Sequence, residues 1–448
     1  MSKRNLILII IIFLALVAGA TTFYYFYQPK SKVDEQVQDV NFLADFFPFG
    51  DKKSENETQD QKSPVDVSGF EPEQVEEKSD ARLQKVSSFP IAGFGVFMKE
   101  RFKEIPSPIE QKSESAALGE KAIKKTTKPV SPPTEFYPAV RYVDRATGNI
   151  FQTFADSIDE RRFSQTIIPR VHEAYFDKKA ESVAMRYLKE DKKTIETFLG
   201  NLPKEFLGAD SAGTNEIKGS FLPENISDMS VSPDDSKMFY LFNTGESAVG
   251  ITIATTTNTK VQVFNFPFTE WLSEWSNSRT ITLTTKPSAN VPGFMYGINP
   301  EKKDLTRILG DINGLTTLTS KDGKAVLYAD NNLNLKIFSI ESGNINTLSI
   351  RTLPEKCTWD KDSDFIYCAV PKSINSEAYP DSWYQGEVSF SDEIWKIDAK
   401  NGNTTRIIDL LLEDEESDVD AIKLKLDEAE KYLFFVNKKD SYLWKLNL

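Results

Sequence analysis

The chain has one histidine, His172, and two cysteines, Cys357 and Cys368, among 448 residues. A single imidazole excludes a metal centre built on several histidines. It also makes any Ser-His-Asp triad depend on His172, which sits in an alternating stretch and reads as a structural strand residue. No G-x-S-x-G elbow occurs; the nearest string, Gly208-Ala209-Asp210-Ser211-Ala212-Gly213, has the wrong spacing. The cysteines lack the Cys-x-x-Cys spacing of a redox pair. Basic residues number 54 against 67 acidic ones, a net charge of −13. That balance repels phosphate backbones and argues against a nucleic-acid partner. No set of residues assembles a catalytic centre, so the sequence predicts no enzyme, no cofactor and no metal.

Long apolar runs are also scarce, because there is one. Lys3 and Arg4 precede an unbroken apolar stretch from Leu6 to Ala20, followed by Phe23, Tyr24, Tyr25, Phe26 and Tyr27. As a helix, residues 6–27 would span about 33 Å, close to a bilayer core of about 30 Å. The tyrosines suit the interface. This predicts a signal anchor in membrane lipid, with residues 1–5 in the cytoplasm and everything after residue 27 outside it. Ala18-Gly19-Ala20 also fits a signal-peptidase site, and cleavage there would release the exported part. Either way the protein is expected at or beyond the cell membrane.

Residues 28–82 have the composition of a tether. Between Ser31 and Arg82 there are 14 acidic and 6 basic residues. Few bulky apolar side chains are present to offset the entropy of ordering. One aromatic island interrupts it, Phe42 to Gly50. It reads as an interfacial patch or as a docking segment. Lys99 to Glu135 is rich in Lys, Ser and Pro and is expected to be a long loop.

From residue 83 to 448 the chain alternates short apolar runs with polar turns, the pattern of strands. One hairpin with an Asp/Ser/Lys turn recurs, as SDMSVSPDDSKMFYLF (227–242), GLTTLTSKDGKAVLYAD (314–330), KCTWDKDSDFIYCAV (356–370) and AIKLKLDEAEKYLFFVN (421–437). Weaker copies begin at Val171 and Trp271. A second hairpin follows, clearest in NLKIFSIESGNINTLSI (334–350) and EIWKIDAKNGNTTRIIDL (393–410). Four strands per repeat predict an all-β propeller. The chain ends on Ser441 to Leu446, the third strand of a blade. Its fourth strand is expected from Arg82 to Val86, closing the ring. VRYVDRATGNIFQTF (140–154) then belongs to a further blade, which gives seven blades, with six as the alternative.

The turns at Ser232-Pro233-Asp234-Asp235 and Ser320-Lys321-Asp322-Gly323, each leading into an apolar strand, resemble the WD40-like repeats of TolB-type propellers. Lys356-Cys357-Thr358-Trp359, Tyr379 to Gly386 and Ile394 to Asp398 also resemble membrane-anchored bacterial propellers. The resemblance covers residues 83 to 448 and implies protein–protein contact in the cell envelope. A TolB-like N-terminal α/β domain is missing, which puts a TolB-specific role in doubt.

Within this fold, Cys357 and Cys368 flank one hairpin turn on adjacent strands. They are either bridged, as an exported protein permits, or two buried thiols. Asp360, Asp362 and Asp364 alternate like the start of a calcium loop but lack its later glycine and glutamate. They read as turn residues, and the acidic run Asp414 to Asp420 reads as an inter-blade loop. Ser320-x-Asp322-Gly323 lacks the Thr-Trp of a sialidase Asp-box. Trp271, Trp275, Trp359 and Trp395 are expected between blades. The insertion from Pro371 to Phe390 carries Tyr379, Trp383, Tyr384 and Gln385. These are either anchors on a partner-binding rim or a cover over the channel or a blade edge. The functional expectation is a membrane-tethered interaction scaffold. The alternative is a propeller that binds carbohydrate or a small ligand, or hydrolyses it, through carboxylates near its channel.

Overall fold

The structure is a computed structural model and describes residues 81–103, 132–207, 213–234, 236–410 and 419–448. The predicted membrane span, the acidic tether before residue 81, its aromatic island, residues 104–131 and Asp414 to Asp418 lie outside these residues.

The described strands form seven sheets of four, each antiparallel and in sequence order except at the closure. We number the blades one to seven by their innermost strands: Ile91–Phe102, Val171–Phe176, Ile226–Val231, Trp271–Asn277, Thr316–Thr319, Cys357–Trp359 and Ala421–Leu426. The ring closes as the chain ends predict. Leu83–Lys85 completes blade seven, pairing Leu83 with Leu446, Gln84 with Lys445 and Lys85 with Trp444.

Each blade is apolar on both faces, so the core is distributed over the joints between blades. Blades three and four, for example, clasp Trp271 and Trp275 with Phe239, Leu241 and Ile281. Trp359 lies between blades five and six, and Trp395 packs against the same cluster. The seam between blades seven and one is filled in the same way, by Phe434, Val436, Tyr142 and Phe94. Burying one such side chain stabilises by roughly 1.5–3 kcal/mol, so the stability of the ring is spread over its joints. Gly93 permits the closest approach: a Cβ there would lie 2.0 Å from the Ala174 carbonyl oxygen of blade two.

The recurrent Asp/Ser turn has a mechanical explanation. Ser232 donates to Asp234 at 2.6 Å and accepts from the Lys237 amide at 3.0 Å. Ser320 does the same with Asp322 and Ala325. In blade six Asp360 accepts from the Asp364 amide at 2.9 Å, and in blade seven Asp427 accepts from that of Tyr432 at 2.6 Å. These side chains satisfy turn amides that no ladder reaches.

One expectation changes here. Lys99 to Glu135 is expected to be a long loop, yet the first hairpin runs to Phe102 and resumes at Thr134, with Glu100 opposite Phe136. Its charges did not signal a strand because they are satisfied sideways. Arg101 pairs with Glu135 at 2.9 Å and Asp156 at 2.7 Å, and lies 3.9 Å from the Tyr137 ring centroid. This hairpin, with strands of 12 and 11 residues, is the longest of the described ones.

Candidate functional site

All seven innermost strands begin at one face of the ring and end at the other. The first face carries the linkers between blades; the second carries the Asp/Ser turns. On the turn face a cavity of about 1220 Å³ opens around the axis. Every innermost strand contributes to it, through Val96, Tyr175, Met229, Glu274, Leu318, Thr358 and Leu424. Its mouth is ringed by turn residues of both signs, among them Lys178, Lys321, Lys361, Glu428 and Glu430.

One side of the mouth is raised by the long hairpin of blade one. Glu205 of blade two fixes its base, pairing with Lys99 at 2.8 Å and Arg161 at 2.6 Å. Burial opposes ionisation of Glu205, but the two cations hold its carboxyl down at about 2. Beyond this clamp the hairpin presents Phe102 and Phe136, the latter 66% exposed. Aromatics in such a position have no packing role in the ring.

The innermost strands carry carboxylates, Glu274 of the cavity lining among them, whose oxygens are bound by neighbouring groups. Asp228 of blade three accepts from the amide and hydroxyl of Ser273 in blade four. Burial pushes its carboxyl up to about 6. Glu274 of blade four accepts from the Thr319 amide of blade five at 2.8 Å and from Ser276 at 2.6 Å, and burial raises its pKa as well. Glu173 is paired with Arg186. Innermost strands have one edge without a ladder partner, and such edges leave amides and carbonyls unsatisfied. Asp228 and Glu274 satisfy two of those amides. Blade seven makes the reciprocal contact with lysines: Lys425 donates to the Phe94 carbonyl of blade one at 2.9 Å and Lys423 to that of Ala92 at 3.5 Å. His172 is half-buried in the innermost strand of blade two, and burial together with Arg186 lowers its pKa. The imidazole is therefore neutral at neutral pH.

The insertion of blade six lies on the linker face, away from the cavity mouth. There, of the two alternatives for the insertion, the cover holds for two residues, which are buried and are not rim anchors. Tyr379 and Trp383 are 2% and 4% exposed and pack with Leu333, Leu353 and Phe390. The Trp383 indole donates to Asp420 at 2.9 Å. Asp420 and Asp392 flank Lys356, whose side chain is fully buried. Asp381 accepts from the Ala289 amide of blade four, Tyr384 donates to Glu355, and Lys438 of blade seven donates to the Trp383 carbonyl at 2.8 Å. The insertion thus covers the linker face from blade four to blade seven. An indole with a buried acceptor and aromatic neighbours gains more here than at a wet rim. Tyr384, 37% exposed, and Gln385 remain accessible.

Cys357 and Cys368 are directly opposite in the ladder and are joined by a disulfide, with Cα atoms 4.0 Å apart. The sequence reading did not single out Asp228, Glu274, Lys356, Lys423 or Lys425. Alternation in Ile422-Lys423-Leu424-Lys425 was the available signal, since a charge on every second residue of an innermost strand must face the axis or a neighbour.

Comparison with protein-family models and with curated proteins gives no match. Among solved structures the chain is similar to TolB from Acinetobacter baumannii, with 9% identity and a TM-score of 0.39 over 70% of this chain and 76% of that one. It is also similar to the tricorn protease, with 11% identity and a TM-score of 0.46 over 69% of this chain and 32% of that one. The β-propeller assignment rests on this chain's own seven four-stranded blades.

Proposed function

We propose that this chain is an interaction scaffold of the cell envelope, held by a membrane anchor and a tether, whose turn-face cavity receives an extended segment of a protein partner. The observation that carries this reading is the cavity and its raised wall. Small-molecule pockets run to roughly 300–1,000 Å³, and at about 1220 Å³ this cavity exceeds that range. Its lining alternates apolar side chains with charges of both signs, as a peptide surface does. The carboxylates of Asp228 and Glu274 serve neighbouring blades. The disulfide suits an oxidising compartment.

Site-specific photo-crosslinkers test this in cells. Placed at Phe136 and Lys321 on the turn face, they should capture one and the same protein; placed at Gln385 on the linker face, they should not. Capture from Gln385 alone would move the contact to the insertion and overturn the assignment.

A further inference from the structure

Lys425 on the cavity wall and Lys423, two residues before it, have more hydrogen-bonding capacity than the fold uses. Lys423 and Lys425 are alternate residues of the innermost strand of blade seven, with Leu424 between them buried in the joint to blade six. The ladder breaks register between Ile422 and Lys425, and Lys423 has a φ of +55°. A residue with a Cβ rarely adopts that conformation, and such a break re-aims side chains. Both residues are exposed, and Lys425 lines the cavity.

Each ammonium carries three N–H donors. One is directed at a carbonyl of blade one, Phe94 for Lys425 and Ala92 for Lys423. Neither forms an ion pair with a carboxylate among the described residues. The carboxylates of the wall are committed elsewhere. Asp228 and Glu274 belong to blades three and four, across the ring, and serve Ser273, Thr319 and Ser276. Glu173 of blade two is ion-paired with Arg186, and its charge also offsets that of Lys423, so Lys425 is the better candidate of the two to take a further anion. Burial, and then the charge of Lys423, pushes the pKa of Lys425 down to about 8. An anion beside it would reverse that shift.

We propose that Lys425, with Lys423 behind it, is a carboxylate receptor in the cavity, so that the segment received there presents an acidic side chain or its chain end. This rests on the turn-face reading above and names the chemistry of its partner.

The test uses the full-length chain in detergent and three probes: C-terminally amidated oligoglutamate, amidated oligoglutamine, and triglycine with a free carboxylate. Oligoglutamate or triglycine should bind and oligoglutamine should not; which of the first two binds tells side chain from chain end. K425M should weaken binding roughly tenfold, the loss expected for one charge-assisted hydrogen bond, and K425R should restore most of it. In the wild-type chain the titration of Lys425, followed by NMR of its isotopically methylated amine, should shift upward on adding the probe. This readout requires no variant to fold. Equal binding by wild type and K425M, no binding by either carboxylate probe, or an unmoved Lys425 titration would each overturn the receptor. Crosslinking from Phe136 and Lys321 is independent of these results, so the receptor can fail while the turn face stands.

Discussion

The two faces of this ring use lysine in opposite ways. On the linker face, Lys356 is fully buried between Asp392 and Asp420, and Asp420 also accepts from the Trp383 indole. On the turn face, Lys425 reaches a solvent-accessible cavity with one carbonyl as its partner. A buried cation with two carboxylates is a fixed part of the fold, because removing any member strands the others in a low dielectric. A cation with donors to spare is free to recognise something. The difference between a locked face and an open one therefore comes from how many partners the fold itself supplies.

Lys356→Met should be the most damaging way to break this contrast. It leaves Asp392 and Asp420 buried without their cation, a loss of about 3–5 kcal/mol by analogy with other buried pairs, measurable as a lower urea midpoint. Trp383→Phe keeps most of the packing but removes the indole donor. Asp420 retains the Phe390 amide and Ser389 hydroxyl at 3.1 and 3.2 Å, so the cost should fall to roughly 1 kcal/mol.

Asp228 sharpens the comparison through pH. Its carboxyl titrates at about 6 in the fold, above its ordinary value of 3.8. Between those values the native state binds more protons than the unfolded one, so this group's contribution to stability falls as pH rises and its loss is complete above about 6. Asp228→Asn should flatten that part of a stability–pH profile; an unchanged slope would show that Asp228 is not its source. The smallest effects should come from the exposed residues. Phe136→Ser and Gln385→Ala should each leave stability within about 0.5 kcal/mol of wild type, yet Phe136→Ser should weaken partner crosslinking from Lys321 and Gln385→Ala should not.

The blades were legible because their determinants are local. The turn at Ser320 and Asp322 is closed by residues within five positions, and strand alternation places Trp271 and Trp359 in the joints without knowledge of their partners. Closure was legible because an incomplete last blade needs a strand from somewhere. What escaped the sequence depends on distant partners. Trp383 is buried by Asp420 and by a carbonyl bond from Lys438, and nothing near Trp383 announces either. Arg101 looked like linker because Asp156, its partner, lies 55 residues away. The roles of Glu274 and Lys425 follow from ring order, which alternation alone does not give.

The closing strand also has a mechanical consequence. Leu83–Lys85 is the first described strand, and the chain passes from it through Val86 into blade one. A pull directed along this strand from ahead of Arg82 would load its three ladder pairs at once. The paired residues of the last strand then resist together, in shear, instead of parting one after another. The strand that completes blade seven is thus also where such tension would enter the ring, and freeing its three residues would leave the seam between blades seven and one to side-chain packing and the lysine hydrogen bonds that cross it.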